Sequence, residues 1–148
     1  MTQKQLILAA LSVSESTEYT PVQVQKLFFL IDRNVGNQIV GGPFFNFVPY
    51  HYGPFDKEVY NQLKELSETG DVSIEMNQGD GMRKYKLTEE GIVKGKQWRE
   101  SLDDSITTYI AELNSFVIGI GFTDLVASIY QQYPEMKVNS IFQKADNT

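Results

Sequence analysis

The chain has 148 residues, 41% of them hydrophobic, with 13 basic and 19 acidic side chains, one histidine, no cysteine and a formal charge of −6. That size and apolar content suit one domain with its own core, and the missing cysteines exclude disulfides, thiolate metal sites and cysteine nucleophiles. The negative balance opposes sequence-independent attraction to phosphate backbones and argues for protein partners.

In chain order, Leu6, Ile7, Ala10 and Leu11 form a helical stripe over Gln3 to Ser12. The same apolar run is too short for a membrane span and wrongly flanked for a secretory signal, so a cytoplasmic protein without a membrane segment is expected. Thr20-Pro21-Val22-Gln23 reads as a capping box with proline at the first helical position. It opens a second helix carrying Val24, Leu27, Phe28 and Ile31, with a stop expected between Asn34 and Gly36.

Gly41 to Phe55 holds four phenylalanines and two tyrosines between prolines, which suits one short strand and a turn. Alternation along that strand places Phe45 and Phe47 on one face and Phe44, Val48 and Tyr50 on the other. The first face is expected in the core. The second is left for a helix over Thr123 to Tyr133 or for a partner, with Phe44 and Tyr50 as the anchors.

Asp56 to Thr69 returns to helical spacing, with Gly70 as its stop. Val72 to Met76 and Met82 to Leu87 then read as a hairpin joined by Asn77-Gln78-Gly79-Asp80-Gly81. Helix, helix, short strand, helix and hairpin is a winged-helix order, with the hairpin as wing. Thr88 caps a further helix whose first turn carries Glu89 and Glu90. Asp103-Asp104 is expected to cap another helix to about Val117, and Thr123 a last one ended by Pro134. The reading is an α+β, mostly helical single domain over 1–142, with a winged-helix-like core, added C-terminal helices and a frayed tail over 143–148.

Few constellations carry chemistry. His51 is the only histidine, which leaves little for a metal site or a catalytic triad; a structural place between Tyr50 and Tyr52, partly buried and bonded to the turn before the third helix, is expected. The pairs Gly79/Gly81 and Gly119/Gly121 lack the strand and helix context of a phosphate loop. No enzyme, cofactor or metal is expected. For DNA, the third helix offers Lys57, Asn61 and Lys64, but also Asp56, Glu58, Glu65 and Glu68, and the wing offers Arg83, Lys84 and Lys86. Two cations against four acids make a poor groove binder, and DNA is the alternative rather than the leading reading.

Two segments resemble a known family. Val24-Gln25-Lys26-Leu27 with Phe28-Phe29, and Tyr52-Gly53-Pro54-Phe55-Asp56-Lys57-Glu58-Val59-Tyr60, are similar to the two signature segments of the Panacea antitoxin-domain superfamily, which includes SocA-like and GepA-like proteins. Pro49 to Phe55 and the late Tyr133-Pro134-Glu135 look closest to its YwgA-like branch. The sequence departs from the antitoxin pattern at Gln23, Val24 and Phe55. The resemblance implies a winged-helix-like domain that neutralises a toxin encoded nearby by binding it, or delivers it to a protease as an adaptor. Phe44, Tyr50, Tyr52 and Phe55 are the candidate partner-binding residues.

Overall fold

Two capping boxes start the two central helices of the computed structural model, which describes residues 1–142; the tail expected over 143–148 lies outside them. Helix α1 (Gln3–Leu11) follows Thr2, whose hydroxyl accepts from Gln5 N at 3.2 Å while Gln5 Oε1 accepts from Thr2 N at 2.9 Å. Helix α2 (Pro21–Ile31) repeats the pattern with Thr20 and Gln23, as the spacing predicts. Both helices are enclosed on all sides: Leu6 to Leu11 and Val24 to Ile31 are buried without a break. A single apolar stripe would not need that much cover, and the C-terminal half of the chain supplies it.

The expected stop near Gly36 is not there. Asp32–Gly36 forms a wide π-type turn that carries the helix into α3 (Asn37–Val40), which ends at Gly41 with φ of 79°. The turn swings the Asp32 carboxylate inward to accept from Phe44 N at 2.6 Å and Phe45 N at 2.9 Å. Gly36 makes room for it, since a Cβ there would stand 2.5 Å from Asp32 Oδ1.

The aromatic segment is shorter as a strand than expected. Strand β1 (Val48–Tyr50) pairs antiparallel with β2 (Gly53–Phe55), placing Val48 opposite Phe55 and Pro49 opposite Pro54. Proline cannot donate to a ladder, which keeps this hairpin short and separate from the second sheet. Phe45 and Phe47 do point inward, onto Phe28 at 6.1 Å and edge-on to Phe29 at 5.5 Å.

Helix α4 (Lys57–Glu68) is capped by Asp56, and strands β3 (Val72–Met76) and β4 (Arg83–Leu87) form the wing. A third strand one residue long joins it: Tyr19, between α1 and α2, exchanges both backbone bonds with Tyr85 at 2.8 and 2.9 Å. The winged-helix-like core is thus α1, Tyr19, α2, α4 and β3–β4. Its extra strand comes before α2, whereas the aromatic segment, expected in that role, builds the separate β1–β2 hairpin.

Helix α5 (Glu89–Glu100) is capped by Thr88 and packs along α1, where Gly95 lies so close that a Cβ would overlap the Leu8 carbonyl oxygen. Helix α6 (Asp104–Gly119) covers α2, and α7 (Phe122–Gln132) covers β2. Two expected caps differ. Asp103 takes the N-cap position of α6 without a side-chain bond, and Gly121 takes the extended N-cap conformation of α7, so Thr123 falls inside that helix. One cluster of buried residues joins α1, α2, α4, the β3–β4 wing, α6 and α7, making an α+β, mostly helical single domain. No helix among the described residues is long and apolar enough to cross a membrane.

Candidate functional site

The β1–β2 hairpin is gripped from both sides. From α2, Gln25 Nε2 donates to Asp56 O and Gln25 Oε1 accepts from Asp56 N, both at 2.9 Å, while Lys26 Nζ donates to Pro54 O at 3.2 Å. From the C-terminal side, Asn139 Nδ2 donates to Pro49 O at 3.2 Å, and His51 O accepts from Ile141 N at 3.0 Å and from Ser140 Oγ at 3.3 Å. Gly53 makes the tight fit possible. Its φ is 104°, and a side chain there would meet Tyr130 Cε1 and Lys26 Cε at 3.4 and 3.5 Å.

Above this frame lies a cavity of about 200 Å³. Its floor is Val22, Gln25 and Lys26 of α2, and its walls are the hairpin residues from Tyr50 to Gly53, Phe55, and Tyr60 of α4. The rings form a chain: His51 stacks on Tyr50 at 4.2 Å, Tyr50 meets Phe55 at 5.1 Å, and Phe55 meets Tyr60 edge-on at 5.7 Å. Tyr52 turns the other way, onto Phe122 of α7 at 5.4 Å.

Lys26 is the unusual member, being only 4% exposed. Burial pushes its ammonium down to about 7 from its ordinary value of 10.5. The ion pairs among the described residues are Lys4–Glu65, Arg33–Glu135, Lys94–Asp71 and Lys96–Glu15, so no described carboxylate pairs with Lys26. An unpaired buried ammonium is costly, and the aromatic walls offer it no counter-charge.

Of the four residues expected to bind a partner, Tyr50, Tyr52 and Phe55 come together on this cavity. Phe44 does not. It packs against the core, its N–H is held by Asp32, and its carbonyl accepts from Gln3 Nε2 at 2.8 Å. Tyr50 and Tyr52 are 47% and 40% exposed, a large aromatic surface on a backbone fixed from both sides. His51 is exposed in the hairpin turn and not partly buried; it lies against Tyr50 alone because Tyr52 points to α7.

The alternative DNA residues are dispersed over α4 and the wing. Lys57, Asn61 and Lys64 are exposed on α4, but Glu58 accepts from both Asn61 and Gln62, and Lys4 is paired with Glu65. Arg83 folds back over Tyr60 at 5.1 Å and Tyr85 at 5.8 Å. Lys84 stands opposite Glu75 in the ladder, and Lys86 is exposed opposite Ser73. Among the described residues there is no group of three or more side chains arranged to hold a metal ion.

Sequence reasoning singled out the hairpin but not its floor. Gln25 and Lys26 look like surface residues of an amphipathic helix, and only the hairpin folding over them makes them internal. No protein-family model, curated protein or solved structure matches this chain.

Proposed function

We propose that this chain is a cytoplasmic protein-binding module rather than an enzyme, antitoxin-like in action, which neutralises a partner protein or delivers it to a protease. The observation that carries this reading is the pair Tyr50 and Tyr52, exposed on a hairpin that α2 and residues 139–141 hold rigid. Rigid aromatic anchors lose little entropy on binding and dominate interface energetics. Placement in the Panacea superfamily remains part of the proposal. The two segments that resemble it touch each other, because Gln25 and Lys26 of the first bind Asp56 and Pro54 of the second.

The test uses the product of the neighbouring reading frame as partner. Co-expression should relieve its toxicity, and Tyr50→Ala with Tyr52→Ala should cost about 2 kcal/mol or more of affinity while leaving the melting temperature near that of the wild type. Unchanged affinity in the double variant rejects the surface.

A second reading, a winged-helix DNA-binding regulator, draws on one observation: the Tyr19–Tyr85 pairing completes the wing sheet and leaves the outer face of α4 open. The charge of −6 and the engagement of Arg83 with its own tyrosines oppose it. Sequence-selective, submicromolar retention of duplex DNA, weakened by Arg83→Glu or Lys84→Glu, would establish it in place of the first.

A further inference from the structure

Lys26 combines three features seldom found together in a lysine. It is buried, it lies at the floor of a cavity open to solvent, and it has no acidic partner among the described residues. An ammonium has three N–H donors, and Pro54 O takes one. As a purely structural donor to that carbonyl it would be a costly choice, since a neutral amide could make the same bond without a buried charge.

We propose that the cavity over Lys26 receives one acidic side chain of a protein partner, whose carboxylate pairs with the buried ammonium while its aliphatic stem lies between Tyr50, Phe55 and Tyr60. This deepens the partner-binding reading of the hairpin and rests on it. A carboxylate supplies both the missing charge and acceptors for the remaining donors, and exclusion of water by the rings strengthens the pairing. Size selects the guest. About 200 Å³ is below the roughly 300–1,000 Å³ usual for small-molecule and cofactor sites, and fits a single side chain. The mouth indicates that the side chain arrives on a polypeptide: Tyr50 and Tyr52 flank it, and Phe122 behind Tyr52 extends the apolar rim for neighbouring residues of the same segment.

The experiment needs no identified partner. The full chain, labelled in its lysine side chains, is titrated with blocked glutamate (N-acetyl-glutamate N-methylamide) and separately with blocked glutamine, while the Lys26 Cε signal is followed by NMR. The glutamate probe is expected to move that signal saturably in the millimolar range and to raise its titration midpoint, whereas the glutamine probe leaves both unchanged. Tyr50→Ala, an exposed wall residue, should weaken the glutamate response several-fold. Besides Lys26, the titratable groups on this face are Tyr50, His51 and Tyr52 of the hairpin, Asp56 beside it, Tyr60 of α4 and Tyr130 of α7. His51→Gln is therefore run in parallel and should respond like the wild type. No saturable shift, equal shifts with both probes, or a response lost in His51→Gln overturns the proposal. If it fails while the Tyr50 and Tyr52 variants still lose partner affinity, the carboxylate is rejected and the contact surface stands. The converse result rejects the surface.

Discussion

Gln25 and Asp56 lie 31 positions apart and exchange two hydrogen bonds of 2.9 Å, side-chain amide to backbone amide. The pair closes like one rung of a ladder. It fixes Asp56, which also caps α4 through Glu58 N and holds Asn46 N at 2.7 Å, so one glutamine sets the origin of a helix and the exit of the hairpin.

Gln25→Ala is therefore expected to destabilise the domain by about 1–3 kcal/mol, because it leaves Asp56 N without a partner and takes one of two donors from Asp56 O, which Val59 N still engages at 3.1 Å. It should also loosen the hairpin. Urea unfolding measures the first effect and hydrogen exchange over 48–56 the second; an unchanged midpoint contradicts the role given to the pair.

Gly95 presses on Leu8 of α1 with no room for a Cβ. Alanine is intrinsically the better helix former by about 1 kcal/mol, so at an exposed position Gly95→Ala would stabilise α5. Here overlap with the Leu8 carbonyl oxygen and Ser12 Cβ should reverse the sign, giving a net loss of about 1–3 kcal/mol. A rise in melting temperature would show that α1 and α5 separate without cost.

What was legible in the sequence was mainly what local chemistry decides. Thr20 and Gln23 cap α2, Gly70 ends the α4 turn at φ of 84°, and Val72 to Met76 alternates as a strand because each depends on near neighbours. Tyr19 was not legible, since a strand of one residue has no period to detect. Gly36 reads as a helix stop until Asp32 is seen to need its space. Half of the site was visible for the same reason. Tyr50, Tyr52 and Phe55 stand in a run too aromatic to be ordinary, whereas Lys26 shows its burial only once a segment 28 positions away folds over it.

Asn114 anchors α6 to the core as a buried amide with three hydrogen bonds: Oδ1 accepts from Tyr19 OH at 2.6 Å, and Nδ2 donates to Ala10 O and Ile110 O at 3.1 Å each. Asn114→Ala removes the partner of a buried hydroxyl and should cost about 1–3 kcal/mol. The double variant with Tyr19→Phe should cost less than the sum of the two single changes, because the orphaned hydroxyl is then gone. Simple additivity in denaturant midpoints would show that the two residues do not act together.

Lys26 is held near 7 in the fold against an ordinary value of 10.5, so between these values the unfolded chain binds more protons than the folded one. Stability must then rise with pH across that window, and fall again on acidification as the buried amine is forced to ionise. Lys26→Met keeps a long unbranched side chain without the charge and serves as reference. Relative to it, the wild type should gain stability from pH 7 towards pH 10, by a total on the order of 4 kcal/mol, and should be the less stable of the two at pH 6. Buried tyrosines act in the opposite sense at higher pH. Burial pushes Tyr60 up to about 12, so it withholds ionisation that the unfolded chain allows, and stability falls. That loss is common to both proteins and cancels in the difference. Urea midpoints of the pair at pH 6, 8 and 9.5 supply the measurement; a flat difference across them would mean that the ammonium is hydrated and that the floor of the cavity is not closed.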